Sequence, residues 1–103
     1  MKSIIDLESR LDREQARKVL SELLNTVPNC FSYGAHFRNR MAERDMTIGD
    51  VLNILHKGKI LKNGEFENGQ WRYRVETEKM AVVIAFNNPF FVRGVTCWRG
   101  KHP

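Results

Sequence analysis

The dipeptide Asn68-Gly69 and the residues on either side of it constrain the fold more than any other feature. A two-residue hairpin turn needs positive φ at both central positions, and Asn-Gly is the pair that best supplies them. Gln70 to Glu76 follows with clean alternation. Trp71, Tyr73 and Val75 point one way and Arg72, Arg74 and Glu76 the other, the period of a half-buried strand. Lys59 to Glu67 supplies the first arm of the hairpin. Met80 to Phe86 is a continuous apolar run that suits a central strand covered on both faces. Asn87-Asn88-Pro89 turns the chain into a last strand, Phe90 to Arg99, in which Gly94 marks a bulge or a close approach.

The first half reads as helical. Leu7, Leu11, Val19, Leu20, Leu23 and Leu24 form an apolar stripe with Ala16 filling a gap. Asp12-x-x-Gln15 fits a capping box, so a helix begins at Asp12 or breaks there, and Pro28 and Asn29 end it. A second helix covers Tyr33 to Arg44. A third opens at Thr47 with Asp50 reaching back, and Met46 and Val51 stand where a hydrophobic staple places them. Ile48, Val51, Leu52 and Leu55 are its expected buried face, and Gly58 is expected in the left-handed C-terminal position. The pattern predicts an α+β fold, with two to three N-terminal helices packed on a twisted antiparallel sheet of about four strands. Residues 1–103 form a single domain, in which residues 1–28 are an accessory helix, a lid or a homodimer contact.

Charge divides the chain. Residues 1–26 carry five cations against five acids, so the whole net charge of +5 falls in residues 27–103, with 12 cations against seven acids. A basic region of this kind suits a polyanion. No run of about 18 apolar residues is present, which argues against a membrane span. Charged Asp6, Glu8, Arg10 and Asp12 follow Met1-Lys2-Ser3, which argues against a signal peptide. Cys30 and Cys97 fit no metal spacing and read as reduced thiols of a cytoplasmic chain. His36, His56 and His102 are scattered without an acid cluster, so no metal or cofactor is expected.

The chemistry-bearing residues are basic. His36, Arg40 and Arg44 recur every four residues, which stacks three potentially cationic groups along one side of a helix. Like charges at this spacing repel, so an anion is expected beside them, either a protein carboxylate or a phosphate. With Arg72, Arg74, Tyr73, Thr96 and Trp98 on strands, the set suits cleavage of RNA by its own 2′-hydroxyl. That reaction needs a proton acceptor, a proton donor and cations on a phosphate whose charge grows in the transition state. His36, Arg40 and Arg72 are the candidate catalytic residues on this chemistry. Arg44, Arg74, Tyr73, Trp98 and Lys101 are the candidate RNA contacts, through guanidinium forks and base stacking. Duller roles compete: Arg40 paired with Glu43 or Asp45, Tyr73 in the core, Arg72 and Arg74 on a solvated strand face.

His36-x-x-x-Arg40-x-x-x-Arg44, Thr47-Ile48-x-Asp50-Val51-x-x-Ile54-Leu55-x-x-Gly58, Trp71-Arg72-Tyr73 and Val95-Thr96-x-Trp98, in that order, resemble a small domain family grouped with RelE-like and MqsR-like toxins. That grouping is the barnase/EndoU/colicin/RelE fold group, and the likeness spans about Ser32 to Arg99. The resemblance implies a RelE-like toxin core over residues 29–103, a metal-free endoribonuclease of mRNA-interferase type acting in the sheet's concavity. By position it maps the family's helix histidine and arginines to His36, Arg40 and Arg44, its strand basic residue to Arg72 and its last-strand hydroxyl to Thr96, which adds Thr96 to the candidate catalytic residues, and it implies a toxin–antitoxin setting with a cognate antitoxin as partner. Two alternatives stand beside it. One is a non-enzymatic basic nucleic-acid-binding regulator, with Asn53, His56 and Lys57 as base readers. The other is a phage or mobile-element protein that binds a host protein.

Overall fold

The computed structural model describes residues 11–88 and 90–100. Its elements are α1 (Arg13–Thr26), β1 (Phe31–Tyr33), α2 (Ala35–Glu43), α3 (Ile48–Lys57), β2 (Glu65–Glu67), β3 (Gln70–Glu76), β4 (Met80–Asn88) and β5 (Phe91–Arg99). The five strands form one mixed sheet in the order β1-β5-β4-β3-β2, with β1 parallel to β5 and the other pairs antiparallel. The fold is α+β as expected, but the sheet has a fifth strand. Tyr33, read from sequence as the start of the second helix, instead ends a short strand, Phe31–Tyr33, that adds to the edge of β5. No helix among the described residues is long and apolar enough to cross a membrane.

Local chemistry sets the element ends. Asn68 and Gly69 have φ of 50° and 81°, as the hairpin turn requires. Asp12 and Thr47 cap α1 and α3 with complete capping boxes. The Asp50 carboxylate accepts the Thr47 N–H at 2.9 Å, and this bond holds the carboxyl below its ordinary pKa. Its contribution to stability is therefore present at neutral pH and fades as acidification protonates Asp50. Gly58 does not adopt the left-handed conformation, since its φ is −72°. It is needed for space: a Cβ there would lie 2.6 Å from the Ile54 carbonyl and 2.9 Å from Val75 Cγ1.

All three helices cover one face of the sheet. Ala16, Leu20 and Leu23 of α1, Phe37 and Met41 of α2, and Val51, Ile54 and Leu55 of α3 share one core with Tyr73, Val75, Val82, Ile84, Val92 and Cys97. Met46 is buried beside them, as the staple requires. The buried face of α3 is thus Val51, Ile54 and Leu55, whereas Ile48 and Leu52 are 39% and 37% exposed. The rotation follows from the sheet, which meets α3 along β3 and β4.

The first helix is a structural member of this core and not an accessory. Leu20 is fully buried, and the Arg17 guanidinium donates to the carbonyls of Leu55 and Gly58 at 2.6 and 2.7 Å, closing the C-terminus of α3. The Tyr73 hydroxyl accepts the Leu11 N–H and donates to the Leu11 carbonyl. Leu20→Ala should lower unfolding free energy by about 2–5 kcal/mol in urea titrations. A chain beginning at Asn29 should lose cooperative unfolding altogether; full retention would return α1 to an accessory role.

Candidate nucleic-acid interface

The face of the sheet opposite the helices carries the candidate residues in three rows fixed by strand register. Arg72, Ala85 and Arg93 form one row, Arg74, Val83 and Thr96 the next, and Glu76, Ala81 and Trp98 the third. Ala81 and Ala85 are buried although no described helix lies over them. Small side chains on the central strand leave room between the longer ones that flank it. Lys62, Glu65, Arg72, Arg74, Thr96 and Trp98 surround a cavity of about 370 Å³ on this face. The Arg74 guanidinium stands 5.8 Å from the centre of the Trp98 ring, within cation–π range.

A second cavity of about 380 Å³ adjoins the first through Arg72, which lines both. Here α2 begins. Gly34, Ala35 and His36 line this cavity together with Arg93 and Val95 of β5, Asn68 of the hairpin and Arg72. His36 is exposed in the first turn of α2. The arrangement depends on a bulge in β5. Val83 pairs with Thr96 and Ile84 with Gly94, so Val95 is an extra residue in the ladder. Strict alternation would put Arg93 and Thr96 on opposite faces; the bulge brings them to the same one. Arg93 is therefore a site residue that alternation misses, although Gly94 signals the irregularity.

Acids of β2 and β3 engage this surface. Glu67 Oε1 accepts from Arg72 Nη1 at 2.9 Å, and Arg74 pairs with Glu76 at 3.2 Å. Arg72 keeps only a fifth of its side-chain surface exposed, and its Nε is buried with no hydrogen-bond partner among the described residues. Leaving a buried charged donor unpaired costs on the order of 1–3 kcal/mol.

The other candidates separate. Arg40 and Arg44 lie further along α2, toward the far end of β5, where both guanidiniums act on the Cys97 thiol. Arg40 donates to Glu43 at 2.8 Å, so a protein carboxylate answers that part of the cationic stripe. Arg44 ends the helix, and its carbonyl accepts from Arg99 Nε at 3.1 Å. Tyr73, offered from sequence as an RNA contact, is corrected to a core residue. It is 2% exposed and its hydroxyl is bonded to the Leu11 backbone, so its ring cannot stack on a base. Lys101 lies outside the described residues. Burial raises the pKa of both Cys30 and Cys97, which leaves neither thiol suited to nucleophilic chemistry. Among the described residues no three His, Cys, Asp or Glu side chains converge as metal ligands.

A model of a domain of unknown function, DUF4258, matches residues 33–92. The chain belongs to the DUF4258 family. The matched span takes in α2, α3 and β2 to β4, with His36, Arg72 and Arg74, and stops before Arg93, Thr96 and Trp98. No significant match is found among curated proteins or among solved structures.

Glu67→Gln removes an ion pair whose carboxylate is 64% exposed, and such pairs are worth about 0–1 kcal/mol. Thermal stability should barely change. RNA affinity at low salt should rise by up to about fivefold, because Arg72 no longer faces a competing carboxylate. Weaker binding would mean instead that Glu67 holds Arg72 in its working position.

Proposed function

We propose that this protein is a metal-independent, RNA-cleaving enzyme that works on the concave face of its sheet. One observation carries the reading. Arg72 lies in the cavity that holds His36 and Arg93 and also in the one that holds Arg74, Thr96 and Trp98. A titratable side chain, several fixed cations, a hydroxyl and an aromatic ring therefore share one continuous surface, the complement that cleavage by the 2′-hydroxyl demands.

The roles follow from chemistry. His36 takes the proton of the 2′-hydroxyl as that oxygen attacks phosphorus, and its imidazolium returns the proton to the 5′-oxygen as the P–O5′ bond breaks, a role open to imidazole because it both accepts and donates. Arg72 and Arg93 neutralise the phosphate as its charge grows, and guanidinium suits this because it offers paired donors. Thr96 hydrogen-bonds the sugar-phosphate, and Trp98 beside Arg74 receives a base. Arg40 and Arg44, further along α2, guide the approaching strand. A toxin–antitoxin or mobile-element setting in the cytoplasm, with an antitoxin that masks this face, completes the proposal.

The test is RNA incubation in excess chelator followed by analysis of the cut ends. Products should carry a 2′,3′-cyclic phosphate or 3′-phosphate and a 5′-hydroxyl. Arg72→Ala should lose activity by about a hundredfold or more, the scale of removing one donor aimed at the transition state. His36→Gln should fold normally and cut poorly. Ends with 5′-phosphate, or a fully active Gln variant, would refute the mechanism. Binding without cleavage would leave a basic RNA-binding module.

RNA binding itself should be strongly salt-dependent, since each neutralised phosphate releases counterions. Filter binding between 50 and 200 mM salt, roughly the range over which such contacts show themselves, should reveal a steep fall. A flat profile would contradict the assignment.

A further inference from the structure

We infer that the cavity at the start of α2 is a discrete pocket for a single phosphoryl group, with Arg93 as its principal charged ligand. The assignment of that group to an RNA backbone rests on the reading above; the pocket itself does not. Three cationic or titratable side chains converge on it from three separate elements: His36 from α2, Arg72 from β3 and Arg93 from β5. His36 and Arg93 are exposed there, so an anion entering the cavity can reach both. The Glu67 carboxylate is bonded to Nη1 of Arg72, while Arg72 Nε is buried and unpartnered among the described residues.

Backbone donors complete the ligand set. The first-turn N–H groups of a helix have no intrahelical acceptor. In α2 the first helical bond is from the Arg38 N–H to the Gly34 carbonyl, and Gly34, the cap residue, has no side chain to occupy the preceding donors. The residues that carry these donors line the same cavity as the two arginines. Asn68, at positive φ in the hairpin, also lines the cavity, and a neutral amide can donate to a phosphoryl oxygen. A phosphoryl group fits this set better than a carboxylate, since it offers more acceptor oxygens to donors arriving from several directions.

Gly34 gives the proposal a test with opposed readouts. A Cβ at Gly34 meets nothing within 4 Å, and its φ of −106° suits any residue. Gly34→Asp should therefore cap α2 and hold or raise the melting temperature while its carboxylate fills the anion position. The experiment titrates inorganic phosphate into the full chain at constant ionic strength, with chloride as the control, and follows amide NMR signals. Saturable shifts at residues 35–37 are expected with phosphate and not with chloride. Arg93→Gln should weaken binding by about tenfold, the scale of one charged hydrogen bond, and Gly34→Asp should abolish it. Non-saturating shifts, equal shifts with chloride, or full affinity in Arg93→Gln would overturn the pocket. A single-stranded RNA oligonucleotide should displace the phosphate. Phosphate binding that such RNA cannot displace would leave the pocket standing and remove its assignment to RNA.

Discussion

The contact of Phe37 with the backbone at Gly94 is the constraint on which the working face depends. A Cβ at position 94 would lie 2.7 Å from the Phe31 ring and 2.8 Å from that of Phe37, so only glycine lets the helix approach β5 this closely. Phe37 is 1% exposed and packs edge-on against Phe31. This contact seats the first turn of α2 at the sheet, and Arg99 fixes the other end through the carbonyls of Arg44 and Asp45. Next to Gly94 the extra residue Val95 turns the strand, so that Arg93 and Thr96 share the solvent face. Close packing on one side of the sheet thus sets the grouping of side chains on the other.

Much of the fold was legible because it rests on local chemistry. The two capping boxes, the Asn-Gly turn and the alternation of Gln70–Glu76 all occur where the sequence indicates. What escaped depends on distant neighbours. A three-residue strand such as β1 has no period to detect, and its partner β5 is about 60 positions away. Ile48 and Leu52 fit the apolar stripe of α3, yet the sheet meets the helix one position round, at Ile54. Gly58 reads as a left-handed cap, and its true reason, the approach of Val75 and Glu76, is a tertiary fact. The zero net charge of residues 1–26 suggested an accessory helix, but Ala16, Leu20 and Arg17 tie α1 to the core and to α3.

The candidate site was legible in part. Arg72, Arg74, Thr96 and Trp98 do meet around one cavity, because alternation and register are readable from the strands. His36 joins them only through Arg72, at the corner where α2 starts. Arg93 was missed because a period of two assigns it to the buried face. Tyr73, offered among the RNA contacts, holds instead the core position that its alternation with Trp71 and Val75 also indicated. The stripe of His36, Arg40 and Arg44 is real as a spacing, yet its members divide between the cavity and the far end of the helix.

The central claim is that the concave face of the sheet, and not the helical side, meets RNA. The most direct measurement is amide NMR of the protein titrated with a short single-stranded RNA. Shifts and line broadening should centre on Arg72, Arg74, Arg93, Thr96 and Trp98 and on the first turn of α2. The largest changes at Ile48, Leu52 and His56 on the helical side, or no saturable change at low salt, would contradict the account.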